Sequence, residues 1–278
     1  MESVSQNSPA KQAFFDALSA FVSGLADRVC TPDGQWAVKG FIDTDRNVYS
    51  ISSDTKITSK ILEIHIFPML LDFAAGHGFD LVLAEHQNHY PDMSFVSSSD
   101  PSIKFAVDLK TTYRKPNKPH LCNGFTLGSH GEYFRNRTST KNIRFPYAEY
   151  DGHFCLGVIY DRAHSATIDE TKMVAVDDIS ELASVMSNMQ FFVAEKWRLA
   201  SDRRGSGNTA NIGSIELIED VVAGQGMFSG LGEEWFDEFW INYGLLMTAD
   251  GRKITTLADF VDFKGGDPAL IVKRRTKA

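Results

Sequence analysis

One stretch of the chain, residues 86–113 with the sequence HQNHYPDMSFVSSSDPSIKFAVDLKTTY, constrains the fold more than any other. Its apolar residues predict two short strands, one opened by Pro91-Asp92 and one running from Ile103 to Leu109. The link over residues 96–102 has the length of a hairpin turn. The stretch therefore predicts a pair of strands in a sheet.

Three charged side chains on this hairpin form a candidate metal site. Side chains alternate along a strand, so Asp108 and Lys110 point to the same side, and the hairpin brings Asp92 across to them. Two adjacent carboxylates repel each other unless a cation lies between them, and such hard oxygen ligands suit Mg²⁺. A lysine beside them fits chemistry on a phosphate. On these residues alone, a surface hairpin with solvated charges is the simpler interpretation.

The composition is that of an ordinary soluble globular protein, with 278 residues, 43% of them hydrophobic and 23% charged. We expect one large domain over residues 1–278, with residues 1–10 disordered. The sequence has no apolar run of membrane-spanning length and no signal peptide at its start, which predicts a cytoplasmic protein without a membrane partner. The three cysteines, at positions 30, 122 and 155, are isolated, which favours buried thiols over a disulfide framework or a zinc site.

The net charge of -8 argues against indiscriminate binding of nucleic acid but leaves specific binding open. Positive charge is concentrated locally, in the run RNRTSTKNIR at residues 135–144, which contains no acid. The ordinary interpretation of such a run is a solvated face.

Hydrophobic spacing predicts the remaining elements. An amphipathic helix is expected over residues 10–29, and a longer helix from Thr55 to Ala75, capped by Asp54, kinked at Pro68 and ended by Gly76. The other predicted elements are short strands within Trp36–Ile51, a buried strand at 154–160, a short helix over Ile179–Met186, a strand over Phe191–Leu199, a loop over 200–217, and an aromatic helical face over Trp235–Leu246.

Two further features have both an ordinary structural interpretation and a functional one. Glu63 is the single acid among apolar neighbours on the longer helix, so its carboxylate either reaches solvent or points at a partner such as a metal. The 200–217 loop lacks the lysine of a nucleotide-binding loop, but it exposes backbone groups and an asparagine amide, which can read adenine in a major groove.

Blocks of sequence spread through the chain carry a resemblance to a known family. They are, in chain order, SSDTK at 52–56, the helix containing Glu63, QNHYPD at 87–92, AVDLKTTY at 106–113, TKNI at 140–143, KW at 196–197 and GSGNTANIGSI at 205–215. The spaced Pro-Asp and Asp-x-Lys residues are the motif of the PD-(D/E)XK nucleases. Together the blocks resemble the EcoRV-like type II restriction endonucleases of that superfamily.

The resemblance implies a role for particular residues. Asp92, Asp108 and Lys110 would be catalytic, and Glu63 would join the two aspartates in binding Mg²⁺. The residues implied in DNA binding are Gly205, Ser206, Gly207, Asn208, Thr209 and Ala210 in the major groove at the outer base pairs of GATATC, Gln87 and Asn88 toward the minor groove, and Thr55, Lys56, Thr111 and Thr112 near the DNA backbone. Ala210 departs from the family's threonine, which removes a hydroxyl but keeps a methyl group able to contact thymine.

The resemblance also implies the architecture and the activity. The expected fold is α/β and restriction-endonuclease-like, with a central mixed sheet flanked by helices and with a dimerisation part and a DNA-binding and catalytic part. The expected activity is Mg²⁺-dependent cleavage of double-stranded DNA at GATATC or a close relative by a homodimer, leaving blunt ends with 5′-phosphates, in a host protected by a cognate DNA methyltransferase. The alternatives are a repair or junction-resolving nuclease of the same superfamily and a DNA-binding module that does not cleave.

Overall fold

The protein is described by a computed structural model that covers residues 8–86, 88–164, 167–205 and 210–273. Its helices are α1 Pro9–Ser23, α2 Leu25–Val29, α3 Thr55–Gly76, α4 Glu132–Arg135, α5 Lys196–Leu199, α6 Ile218–Val222, α7 Glu233–Asn242 and α8 Leu257–Phe263. Its strands are β1 Gly40–Ile42, β2 Asn47–Ser50, β3 Phe79–Leu83, β4 Met93–Ser97, β5 Lys104–Lys115, β6 Lys118–Cys122, β7 Thr126–Ser129, β8 Gly152–Arg162, β9 Met173–Ala175, β10 Met186–Glu195, β11 Ala200–Arg204 and β12 Asn211–Ser214.

A mixed sheet forms the centre of the molecule, with strand order β10-β8-β5-β4-β3 and with β6 paired to the far end of β5. The β5–β8 pair is parallel, whereas β3–β4, β4–β5 and β8–β10 are antiparallel. The predicted α/β fold with a central mixed sheet is therefore confirmed.

Alternation along the central strands builds a hydrophobic cluster on each face of the sheet. On β5, Phe105 and Val107 face a cluster that includes Phe14 of α1 and Leu62 of α3. Ala106 faces the opposite cluster, which contains the buried aromatic residues of α7 and α8. Helices thus cover both faces, and the aromatic face predicted near Trp235–Leu246 is core packing.

Helix α3 begins and ends close to the predicted positions. The Asp54 carboxylate accepts hydrogen bonds from the backbone N–H groups of Lys56 and Ile57, at 2.8 and 3.3 Å, and so satisfies two donors that the first turn leaves free. The helix continues through Pro68 to Gly76. Among the described residues, no helix combines the length and the apolar content needed to cross a bilayer.

The amino-terminal helix starts earlier than expected and is interrupted. Residues 9 and 10, which the sequence assigned to a disordered start, form the first turn of α1, where the Ser8 side chain caps the helix and Pro9 fits the first position. At Gly24 the helix breaks, so the single helix expected over 10–29 is two helices. Residues 1–7 lie outside the described residues.

Two three-stranded sheets lie apart from the central one. The first, β1-β2-β9, contains the short strands predicted within Trp36–Ile51. The second, β11-β12-β7, was missed, because most of its residues fall in the stretch predicted as a loop over 200–217. That stretch is a hairpin whose two strands flank residues 205–210.

Two other predicted elements differ from the structure. The helix predicted over Ile179–Met186 is wrong: a 3₁₀ turn spans Val176–Glu181, and Met186 opens β10, where it pairs with Arg162 of β8. The strand predicted over Phe191–Leu199 continues only to Glu195, because the chain then turns through α5. The strand predicted at 154–160 is confirmed within β8, and Cys122 and Cys155 are buried as expected.

Candidate active site

The β4–β5 hairpin places Asp92 against the strand that carries Asp108. Met93 lies opposite Val107 in the antiparallel ladder, so Asp92 comes beside Asp108 at the end of the paired region. The backbone N–H of Leu109 donates a hydrogen bond to Oδ2 of Asp92 at 2.8 Å. This bond fixes the Asp92 carboxylate on β5, although Asp92 itself lies just before β4 begins.

Asp108 and Lys110 share one face of β5, as the alternation predicts. The Lys110 ammonium is in ion-pair contact with Oδ2 of Asp108, and the side chains are 19% and 8% exposed, respectively. Leu109, between them, is buried on the other side of the strand. The structure thus brings together the three side chains that the sequence expects to converge.

The carboxylates of Asp92 and Asp108 are close together and largely shielded from water. Burial and the neighbouring Asp108 carboxylate raise the pKa of Asp92 to about 7, although Lys110 and the Leu109 N–H act in the opposite direction. Burial alone would lower the pKa of Lys110, but the charges of Asp108 and Asp92 raise it above its ordinary value. Lys110 therefore keeps its proton at neutral pH, and the repulsion between the two carboxylates that remains favours a further cation beside them.

These residues fit a hard divalent cation, since two nearly buried carboxylates offer oxygen ligands and gain from a positive charge between them. Among the described residues, no three His, Cys, Asp or Glu side chains come close enough to form a metal-binding set. In this structure the candidate ligand set is thus the pair Asp92 and Asp108.

Glu63 lies near this pair but is bound elsewhere. It lines a cleft of about 610 Å³ beside Asp92, bounded by α3 on one side and by the end of β3 on the other. Its negative charge contributes to the raised pKa of Asp92. Its Oε1 atom, however, accepts a hydrogen bond from Nζ of Lys60 at 2.7 Å, so this oxygen is already paired with a cation of the same helix. The sequence argument did not single out Lys60, because a lysine on an exposed helix turn carries no signal of its own.

The residues expected near the DNA backbone fall into two groups. Thr55 and Lys56 form the first turn of α3, and Lys56 lines the same cleft as Glu63. On β5, Thr112 is 5% exposed and its hydroxyl donates to the Asn123 carbonyl. Thr111 points to the face opposite Lys110 and is half-buried.

The expected reading loop begins and ends on the β11–β12 hairpin. The Gly205 N–H donates to the Asn211 carbonyl at 2.8 Å, and the Ala210 carbonyl accepts from the His130 N–H at 2.7 Å. A Cβ atom at Gly205 would lie 2.8 Å from Cγ2 of Thr126 on β7, so this position is packed too closely for a side chain. Residues 206–209 and Gln87, which are also expected at the DNA, lie outside the described residues, and Asn88 is exposed in a turn.

The basic run at 135–144 is only partly a solvated face. Arg137 pairs with Asp237 at 2.7 Å and stacks 4.6 Å from the centre of the Tyr147 ring. Arg144 pairs with Glu85. Two of the basic side chains in this run therefore act as internal or bridging partners.

Comparison with known proteins agrees with this geometry. The family model for the restriction endonuclease EcoRV matches residues 32–265, which span the central sheet, the candidate site and both smaller sheets. The protein is thus a type II restriction endonuclease.

Similarity to one known enzyme identifies the family within this class. The type II restriction enzyme EcoRV of Escherichia coli is 35% identical over 239 residues, which cover 86% of this chain and 95% of that enzyme. The chain belongs to the EcoRV family of restriction endonucleases.

Proposed function

We propose that the protein cleaves both strands of DNA at GATATC or a closely related palindrome in a Mg²⁺-dependent reaction that leaves blunt ends with 5′-phosphates. The observation that supports this most is the convergence of Asp92, Asp108 and Lys110 beside an open cleft on a hairpin of the central sheet. Membership of the family supports the nuclease activity. The resemblance of residues 205–215 to the family's reading loop supports GATATC or a close relative as the DNA sequence that is cut.

Each of the converging side chains has a separate task in this proposal. Asp92 and Asp108 would hold Mg²⁺, and Glu63, which lines the same cleft, would be a further oxygen ligand. The bound ion supplies Lewis-acid stabilisation of the phosphate and an acidified water. Lys110 keeps its proton and stabilises the negative charge that develops on the scissile phosphate. The Leu109 N–H keeps the Asp92 carboxylate oriented toward the site.

DNA reading is assigned to the loop 205–210 on the β11–β12 hairpin, with the backbone contacts at Thr55, Lys56 and Thr111. Bidentate contacts between an asparagine amide and adenine contribute about 1–3 kcal/mol of discrimination each. Ala210 supplies a methyl group in place of the family's hydroxyl, so the outer base pairs are where the preferred sequence departs first from GATATC. Thr112 contributes by fixing the chain at Asn123.

The protein acts as a homodimer, because a palindromic site requires two active sites related by a two-fold axis. The sheet β1-β2-β9 offers a surface for this contact. Tyr49 lies directly across from Phe41 on one side and from Met173 on the other, and these three side chains are 44%, 52% and 52% exposed. A row of exposed apolar side chains on an independent sheet is typical of an interaction surface.

The remaining assignments follow from this role. The chain forms a single endonuclease domain in which β1-β2-β9 is the dimerisation part and the central sheet with β11-β12-β7 is the catalytic and DNA-binding part. The enzyme works in the cytoplasm beside a cognate DNA methyltransferase that protects the host's own sites.

The experiment is digestion of an unmethylated plasmid that contains one GATATC site, with Mg²⁺ and with EDTA, by the wild-type protein and by Asp108→Asn. We expect one Mg²⁺-dependent cut, blunt on end sequencing, that is lost in the variant. Asp250→Asn, an exposed aspartate outside the site, is the matched control and should cut normally. Cutting at branched junctions in preference to linear sites, or DNA binding without any cutting, would contradict the proposal.

A further inference from the structure

Lys196 is a buried cation that the proposed reaction does not use. The residue is 2% exposed and stands among the largest fully buried side chains. Within the part of the chain that the structure describes, its Nζ atom has no hydrogen-bond partner. A buried ammonium group without an acceptor is costly, so other interactions must hold it in place.

Three aromatic rings and the charges of nearby carboxylates supply those interactions. The Nζ atom lies 4.5 Å from the centre of the Tyr90 ring, 5.2 Å from that of Tyr147 and 5.3 Å from that of Phe134. Such contacts with ring faces stabilise a cation, most strongly where water is excluded. Burial lowers the pKa of Lys196 to about 8, and Asp108 acts most strongly in the opposite direction. The ammonium group of Lys196 therefore interacts electrostatically with the carboxylate of Asp108.

The ring closest to Lys196 belongs to the segment that positions Asp92. Tyr90 is two residues before Asp92, its backbone N–H donates to Asn142 at 3.0 Å, and its carbonyl accepts from Arg144 at 2.8 Å. Its hydroxyl is hydrogen-bonded to Nδ1 of His153 at 3.0 Å. Tyr90 is thus anchored through its backbone and its hydroxyl, and it anchors the chain that leads into Asp92.

Lys196 also lies at the junction with the sheet that carries the reading loop. It begins α5, the single turn that leads from β10 into β11. The third strand of that sheet, β7, meets the same pair of side chains: a Cβ atom at Gly128 would lie 3.6 Å from Nζ of Lys196 and 3.7 Å from Cδ2 of Tyr90. The backbone of β7 therefore passes close to both side chains, and a displacement of the β7-β12-β11 sheet would change the space available to them.

We propose that Lys196 is a positioning residue that connects the β7-β12-β11 sheet, which carries the reading loop, to Tyr90 and thereby to Asp92. The correct DNA sequence, once bound by the loop, sets the sheet and Lys196 in the arrangement that orients Asp92. This inference rests on the proposed function and adds to it the route by which sequence reading controls cleavage.

The test compares Lys196→Met with the wild-type protein. Methionine keeps the length of the side chain and removes the charge, and an apolar residue in a buried site of this kind costs little stability. We expect the single-turnover cleavage rate at GATATC to fall at least tenfold, while cleavage at a site with one altered outer base pair stays the same. The ratio of the two rates should therefore fall at least tenfold. DNA affinity, measured with Ca²⁺ in place of Mg²⁺, should change less than twofold, and the thermal midpoint should not decrease.

Lys11→Met is the matched control, because Lys11 is also a buried lysine but has two carboxylate partners. Its Nζ atom lies 2.5 Å from Glu195 and 2.8 Å from Glu233. Removing it leaves the buried Glu233 without its lysine and Glu195 with Arg198 alone, so the control should lower the thermal midpoint and leave the rate ratio unchanged. The two variants are thus expected to give opposite patterns.

An unchanged rate ratio in Lys196→Met would overturn the inference, and so would a variant that is unfolded at the assay temperature, since that result would make Lys196 a purely structural residue. The wild-type arm reports separately on the proposed function. Wild-type protein that does not cut GATATC-like sites would refute both, whereas specific cutting with an unchanged ratio refutes the role of Lys196 alone.

Discussion

Lowering the pH from 8 to 6 is expected to weaken the binding of Mg²⁺ at the Asp92–Asp108 pair by about tenfold, because a proton then competes for Asp92. Burial and the repulsion from Asp108 raise the pKa of Asp92 to about 7. With that pKa, roughly nine-tenths of the Asp92 side chains are ionised at pH 8 and roughly one-tenth at pH 6. Binding at pH 6 should therefore release close to one proton per ion, and binding at pH 8 very few.

The same shift determines how stability depends on pH. The pKa of Asp92 is higher in the folded protein than the ordinary value of 3.8, so between these values the folded state holds a proton that the unfolded state releases. The contribution of this group to stability is thus most favourable below about pH 4 and is lost as the pH rises through about 7. Mg²⁺ relieves the carboxylate repulsion, so it should raise the thermal midpoint more at pH 8 than at pH 6.

The assay is calorimetric titration of Mg²⁺ into the DNA-free protein in two buffers that differ in ionisation enthalpy, which counts the released protons directly. Asp92→Asn is the variant that should abolish both the proton release and the pH dependence. Asp80→Asn, on the exposed side of β3, should behave as the wild type. An affinity that is equal at pH 6 and pH 8 in the wild-type protein would refute the reasoning.

Two other predictions concern the core and the dimer. Phe14 is 3% exposed and stacks on Phe105 at 4.3 Å, so Phe14→Ala should lower the free energy of unfolding by about 3–5 kcal/mol in urea denaturation, and a loss below about 1 kcal/mol would contradict this packing. Tyr49→Asp places a charge in the exposed apolar row on β1-β2-β9, so sedimentation velocity should show a monomer with an unchanged circular dichroism spectrum; a variant that still forms dimers would exclude this sheet as the interface.

The sequence predicts the parts of the fold that depend on neighbouring residues. The Asp54 cap and the end of α3 at Gly76 follow from local signals, and the structure contains both. The convergence of Asp92, Asp108 and Lys110 is also nearly local, since one hairpin supplies all three residues. Alternation along a strand then decides which side chains share a face.

Features that depend on distant pairing could not be predicted in this way. Met186 ends a segment with helical spacing, yet it forms a strand because β8 offers it a partner at Arg162. The β11–β12 hairpin is not predicted from the sequence, because the stretch is rich in glycine, serine and asparagine, which are ordinary loop residues. Nothing in the sequence predicts that Lys196 is a buried cation, because the aromatic rings that enclose it come from three segments distant in sequence.

The position of β5 within the central sheet has a consequence for how such an enzyme changes its target. β5 has β4 on one side and nine paired residues of β8 on the other, so the two residues Asp108 and Lys110 are carried by one of the most enclosed strands of the molecule. The proposed reading loop, by contrast, joins the strands of a short hairpin whose sheet has three strands in the described part of the chain. If the proposed function holds, new DNA sequences would be acquired by substitutions on that hairpin, while the strand that carries Asp108 and Lys110 stays the same.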